Sequence, residues 1–242
     1  MSGVATMGKP AVGLSFRVLV IFFIVLFVLS VPLCWAAATL YGVNRAVASN
    51  GFYIVFDLVY FGILALPWLR LSDQLDLTTA QRLEKMCVAW LCLEIAAAVL
   101  WSIPWLFLVQ VIVAGKGHMW AYLWWAYMDG GDPRYAVADG SVQAMETAGA
   151  IVAMLAAVVL LLRLRSGRFT DRQLLALMAL EAGEFYGICV YFFSGFFHGL
   201  PDLGGPAGLA IKFFGSNLPW LFMPPVVFLW AGGVLIGRRR AA

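Results

Sequence analysis

The stretch Trp-Ala-Tyr-Met-Asp-Gly-Gly-Asp-Pro-Arg-Tyr-Ala-Val-Ala-Asp-Gly-Ser-Val-Gln-Ala-Met-Glu-Thr, Trp125 to Thr147, decides how this chain is read. Its middle, Asp129-Gly130-Gly131-Asp132-Pro133, is a turn signal. Its end enters a long apolar helix, and Glu146 lies about five residues inside it. A carboxylate at that depth is costly in hydrocarbon and faces a cavity, a partner or a substrate rather than lipid. Asp57, Glu94, Glu181 and Glu184 also lie within apolar segments. A passive membrane anchor has no use for such acids.

Of the 242 residues, 63% are hydrophobic and 12% charged. Soluble domains run at about 45–50% apolar and about 25% charged. The polar residues here cannot cover a water-facing surface, so residues 1–242 read as one integral membrane domain. No basic run interleaved with aromatics supports nucleic-acid binding. Cys34, Cys87, Cys92 and Cys189 stand in apolar stretches without a CxxC pair and read as small buried hydrophobes. Cysteines and histidines do not cluster, so no metal site is expected.

Six stretches are long enough to span a bilayer, which takes about 20 helical residues. They fall at roughly 18–42, 52–70, 86–114, 141–163, 173–196 and 207–236. The fold expected is therefore an all-α polytopic bundle. Placing both termini in the cytoplasm puts twelve of the sixteen Lys and Arg residues on the inner side. Arg45, Lys116, Arg134 and Lys212 remain outside, in agreement with the positive-inside rule. The first span also admits a signal-peptide reading ending at Ala36-Ala37-Ala38, which would leave five spans. The segment from Lys116 to Gly140 holds Trp120, Tyr122, Trp124, Trp125 and Tyr127. It reads either as an interfacial aromatic belt or as a lid over a lipid-access cavity.

Helical rise places Glu146 about 8 Å from the outer end of span four, and Asp57 about 8 Å from that of span two. Glu184 falls near the midplane, and Asn217 lies about 15 Å below the outer end of span six. Glu94 lies about 12 Å from the inner end of span three. Glu146, Glu184, Asn217 and Asp57 are thus candidates for one polar site. Glu181 and Glu184 share a helical face. Two carboxylates so close repel when both ionise, so one is expected to keep its proton. The alternative for Glu181 is a pair with Arg172 or with another helix. Trp220, three residues after Asn217, can turn its ring face to a cation. His118 and His198 read as interfacial or loop residues rather than general bases.

Three blocks carry a family resemblance. The first is Gly131-Asp132-Pro133-Arg134-Tyr135, then Asp139, then Met145-Glu146-Thr147. The second is Gly183-Glu184-Phe185-Tyr186-Gly187 with Tyr191-Phe192, and the third Asn217-Leu218-Pro219-Trp220 with Pro224. In order and spacing they resemble the emopamil-binding protein family of the EXPERA superfamily, over about 52–237. The resemblance implies a helical bundle around a sterol-sized cavity open to lipid. It implies chemistry in which a proton is added to a ring alkene and another removed, with a carbocation between. Glu146 would stabilise the cation or relay the proton, Asn217 would orient the relay, and Trp220 would face the cation. Thr147 and Tyr186 join the substrate contacts, and cationic amphiphilic amines would mimic the cation. Four positions depart from the family. Its isomerases pair a His with a Glu, four apart, on the helix before the aromatic loop. Span three here has no His, and Glu94 is its acid. Glu184 replaces a Gln, Ile188 an Asp and Gly149 a Thr.

The resulting expectation is a membrane isomerase shifting a double bond in a sterol or related polycyclic terpenoid. Glu146, Glu184 and Glu94 would be catalytic, and Asn217, Trp220, Tyr186, Asp57 and Thr147 would bind substrate. Moving a double bond is not a redox change, so no cofactor is expected. A non-catalytic sterol- or lipid-binding protein and a membrane terpene cyclase stay open as alternatives. The expected surroundings are the lipid bilayer and the sterol or terpenoid, with a homodimer as a candidate assembly.

Overall fold

A computed structural model of the chain describes residues 14–71, 73–197, 199 and 205–241. Six helical segments are long and apolar enough to cross a membrane. They are Phe16–Thr39, Arg45–Trp68, Thr79–Ala114, Gly140–Ser166, Asp171–Phe197 and Gly205–Arg240. Each overlaps one expected span, and no strand occurs among the described residues. The chain is a multi-pass helical membrane bundle.

Local chemistry sets the helix ends. The Ser15 hydroxyl accepts from Val18 N at the start of α1 (Phe16–Thr39). Asn44 accepts from Ala46 and Val47 at the start of α2 (Arg45–Ala65). Thr78 and Gln81 form a capping box at the head of α3 (Thr79–Ala97). Asp139 caps α6 (Gly140–Ser166), which ends on Gly167 at φ 72°, a left-handed value that suits glycine. α7 (Asp171–Phe197) follows.

The third and sixth spans are not continuous α-helices. α3 passes through a π-helical turn, Ala98–Ser102, into α4 (Ile103–Ala114). The sixth runs from α8 (Gly205–Gly208) through a π-helical segment, Leu209–Phe214, and a 3₁₀ turn, Gly215–Asn217. It then enters α9 (Leu218–Ala241). Pro104 and Pro219 stand just beyond these irregular turns. Neither has an N–H to return to the carbonyl four residues back, and each ring crowds the turn before it.

α7 packs between α6 and α9, and α1 lies along α2. Two apolar clusters form the core. One holds Phe52, Trp105, Trp125, Tyr135, Tyr191 and Phe213. The other holds Trp90, Leu91, Leu174, Leu177, Val227 and Trp230. Trp220 packs against both. The aromatic segment folds inward: α5 (Tyr122–Met128) buries Tyr122, Trp124, Trp125 and Tyr127, whereas Trp120 is exposed. The belt reading thus fits Trp120, whereas the other four pack into the core.

Polar contacts hold this segment in place. Asp129 pairs with Arg45 at 3.0 Å and with Lys116 at 2.8 Å. Lys212 of the sixth span is fully buried, and its Nζ donates to Ser49 Oγ at 2.7 Å and to the Asp129 carbonyl at 2.6 Å. A Cβ at Gly131 would fall 2.0 Å from the Tyr127 carbonyl oxygen, so only glycine lets this turn close. Of the four cysteines, Cys87 alone is buried as expected. Cys92 is exposed on the apolar surface, where a small hydrophobe costs nothing in lipid.

Candidate functional site

A cavity of about 410 Å³ lies where the two clusters meet, with Trp220 in its wall. Its lining is mostly apolar or aromatic and includes Phe27, Tyr53, Phe56, Tyr60 and Ile188. Ile24 and Val28 of α1 and Leu100 of the π turn line it while remaining about half exposed. The mouth therefore lies between α1 and the π turn, at mid-helix on the apolar outer surface. α1 is part of the cavity wall.

The polar lining is sparse and specific: Glu94, Ser102, Glu146, Glu184, Ser216 and Asn217. Glu146 is 5% exposed. Its Oε1 accepts from the Tyr135 hydroxyl and, at 2.9 Å, from Trp101 Nε1. The π turn aims Trp101 and Ser102 at this carboxylate from the third span; π turns recur at functional sites because they redirect side chains. Glu184 reaches the same space from α7. Its oxygens lie 3.7 and 3.8 Å from where a Cβ at Gly149 would sit. Gly149 and Glu184 are therefore neighbours in space, at ordinary van der Waals separation. Glu184 and Glu146 line the same cavity.

Asn217 donates to the Tyr127 hydroxyl at 3.1 Å and to the Phe213 carbonyl at 2.8 Å. Both amide hydrogens are used, so its carbonyl oxygen is the function left to offer. Trp220 packs its ring 5.2 Å from Tyr60 and 5.4 Å from Trp90, centroid to centroid. Behind Asn217 the hydrogen bonds continue outward. Tyr127 and Tyr191 hydroxyls meet at 2.6 Å, and Tyr191 donates to Asp132 at 2.8 Å. Asp132 is fully buried and takes three bonds from the Arg134 guanidinium, at 2.9, 3.0 and 2.6 Å. Because Tyr191 gives its proton to Asp132, Tyr127 must donate to Tyr191. The chain thus runs one way from Asn217 to an anchored anion.

Burial pushes the Tyr127 phenol above its ordinary range, and the Asp132 charge adds to this. Tyr135 is raised likewise, first by burial and then by the Glu146 charge. Both remain donors at neutral pH. Burial by itself would lower Arg134, but its hydrogen bonds and ion pairing with Asp132 outweigh this and hold it above its usual value.

The structure brings Glu146, Glu184, Glu94, Asn217 and Trp220 to one cavity. Three of the expected substrate contacts lie outside the cavity lining. Thr147 is exposed on the outer face of α6 and bonds the Gln143 carbonyl at 2.7 Å, because one residue after Glu146 points about 100° away. Tyr186 is 72% exposed for the same reason, two residues after Glu184. Asp57 stands behind the wall, accepting from Ser216 Oγ at 2.9 Å, rather than in it. Glu181 takes no bond from Arg172; it accepts from Trp90 Nε1 at 3.2 Å, so its partner is another helix. His118 is exposed beside Trp120, and His198 lies outside the described residues. Sequence reasoning missed Trp101, Tyr127 and Trp90. Nothing in the local pattern separates them from the other aromatics.

No family model matches the chain. No solved structure matches it either. Among curated proteins, it is 29% identical over 188 residues to the 3-beta-hydroxysteroid-Delta(8),Delta(7)-isomerase of Cavia porcellus. The alignment covers 74% of this chain and 78% of that protein. The chain is therefore similar, over most of its length, to a sterol isomerase, in agreement with the resemblance carried by its three blocks.

Proposed function

We propose that this chain is a membrane isomerase that moves a ring double bond in a sterol or related polycyclic terpenoid. The observation that carries the reading is the pairing of Glu146 and Glu184 across one apolar cavity walled by Trp220 and Asn217. The relative's name supports the substrate class. In this reading a protonated Glu184 gives its proton to one alkene carbon. The π electrons form the new C–H bond, and a carbocation remains on the neighbouring carbon. Trp220 offers a ring face to that cation, an interaction of about 2 kcal/mol when desolvated. The Asn217 carbonyl offers its negative end. A carboxylate, Glu146, takes a proton from the carbon on the far side of the cation, and the C–H electrons become the new double bond. Electrons and protons balance without a redox partner.

Heavy water tests the chemistry. Incubation with a Δ8-unsaturated sterol is expected to return the same ring system with a moved alkene and deuterium at one ring carbon. Added rings on an open-chain terpene would support a cyclase instead. One observation favours a non-catalytic binding protein: Trp90 stands four residues before Glu94 on a span that lacks the family His. Sterol bound but returned without deuterium would establish that reading.

A further inference from the structure

Asn217 does not by itself decide which sign of charge it shows the cavity. Its amide has an oxygen on one arm and an NH₂ of nearly the same shape on the other. Turned one way it offers a cation its oxygen; turned the other way it offers hydrogens and repels the cation. Asn217 ends the 3₁₀ turn of the sixth span, and the groups behind it settle its orientation. Tyr191, Asp132 and Arg134 stand there, all buried, and none of them lines the cavity. Arg134 has only donors to give. It holds Asp132 through Nε and Nη2 and sets its guanidinium 4.9 Å over the Tyr191 ring. Its Nη1 donates to Ser194 Oγ at 2.7 Å, which ties the pair to α7.

Asp132, so held, only accepts, and Tyr191 gives it its one hydroxyl hydrogen at 2.8 Å. Tyr191 then has only lone pairs for Tyr127, which must donate across their 2.6 Å contact. Tyr127 in turn has only lone pairs left for Asn217. At 3.1 Å it can face the amide nitrogen and not the oxygen. The Phe213 carbonyl, 2.8 Å from the same nitrogen, makes the same demand. Were Tyr127 reversed, its hydroxyl hydrogen would meet an N–H hydrogen, and an amide flipped to suit it would set oxygen against the Phe213 carbonyl. We infer that Asp132 and Tyr191 are positioning residues that, through Tyr127, hold the Asn217 carbonyl oxygen toward the cavity, where it stabilises positive charge. Aligned hydrogen bonds in a low-dielectric interior strengthen one another, so the anchored anion is felt at the far end. No proton passes along this chain; it holds an orientation. Stabilising the reaction's cation rests on the isomerase reading, whereas the orientation of Asn217 does not.

Tyr191→Phe cuts the chain at its middle. It keeps the Asp132–Arg134 pair and the ring, and it removes no atom that lines the cavity. The protein has three asparagines, Asn44, Asn50 and Asn217. Nuclear magnetic resonance of nitrogen-15-asparagine-labelled protein in detergent therefore reads their side-chain amides, and Asn217→Leu identifies the pair from the cavity. In Tyr191→Phe the Asn217 pair should shift, and its hydrogens should exchange about fivefold faster or more, the worth of one hydrogen bond. Asn44 and Asn50 should not move. An Asn217 pair that keeps its shifts and exchange would overturn the orientation, whatever the protein's activity. The second measurement compares a steroid carrying a protonated ring nitrogen with the neutral steroid of the same shape. Tyr191→Phe should lower the affinity ratio of the two by about fivefold or more. In an Asn217→Leu background it should not change that ratio, since residues acting through one another are not additive. An equal fall in both backgrounds, or no fall in either, would refute action through Asn217. With a Δ8-unsaturated sterol, Tyr191→Phe should lower kcat and leave KM unchanged, as for an interaction made with the cation alone. A change confined to KM would refute the catalytic use. If the unaltered protein turns over no such sterol, the isomerase reading fails and the amide spectra still decide the orientation. Tyr127→Phe, which cuts the chain one link nearer, carries the same readouts should Tyr191→Phe not fold.

Discussion

Glu146 is held by two donors from two different segments, Tyr135 and Trp101, so its position depends on the fold and its chemistry on its proton. Glu146→Gln should abolish turnover while sparing sterol binding, because the amide keeps size and polarity but cannot accept a proton. Equilibrium binding of a radiolabelled sterol beside a product assay checks this. Trp220→Leu should weaken a cationic amphiphilic amine by about tenfold or more but a neutral sterol much less, since only the cation uses the ring face. Competition binding with the two ligand types measures the difference. Behind the site, Arg134→Met leaves the fully buried Asp132 carboxylate without its cation. Breaking such a pair costs about 3–5 kcal/mol, read as a lowered denaturation midpoint in detergent. The raised phenols of Tyr127 and Tyr135 give the pH sign. The folded chain keeps their protons when the unfolded chain loses them. Their stability is thus complete below about pH 10 and is lost above it. Tyr135→Phe should flatten part of that alkaline fall in the denaturation midpoint.

At the scale of elements, two irregular turns aim the site. The π turn Ala98–Ser102 directs Trp101 and Ser102, and the run Leu209–Asn217 directs Ser216 and Asn217. Deleting Val99 would regularise the first and rotate Trp101 against the preceding helix by about 100°. Turnover should fall sharply while circular dichroism shows unchanged helix content. Gly215 approaches Asp57 so closely that a Cβ would lie 2.7 Å from its Oδ2. Gly215→Ala should break the Asp57–Ser216 contact and destabilise by about 1–3 kcal/mol, as overpacking does. Thr147→Ala, on the outer face of α6, should leave turnover within about twofold. The sequence shows Pro104 and Pro219 but not these turns. A proline predicts a disturbance of the helix, whereas its form as a π or 3₁₀ turn is set by what packs against it.

The whole molecule has its cationic loops at one end and its aromatic segment at the other, as six antiparallel spans require. We propose that the cationic end faces the cytoplasm, since short cytoplasmic loops collect Lys and Arg. Single cysteines introduced near Gly140 and Gly167 should then react with impermeant reagents from opposite sides of the membrane. Labelling of both from one side would contradict the arrangement.

Span number, helix class and the list of intramembrane acids follow from the sequence by itself, because hydrocarbon enforces them. A bilayer demands about 20 apolar helical residues per crossing and penalises every carboxylate inside it. That logic located Glu94, Glu146, Glu181 and Glu184 without coordinates. It could not tell which faces meet. Thr147 and Tyr186 stand one and two residues from acids in the cavity and yet point away, because a helix turns about 100° per residue. Asp57 has the right depth but reaches Ser216 instead of the cavity. Trp101, Tyr127 and Trp90 look like any other aromatics in an aromatic-rich chain until packing gives each indole or phenol a partner. Depth is a one-dimensional property and can be counted along the chain. Convergence on a cavity depends on helix rotation and on two irregular turns, and only the assembled bundle fixes those.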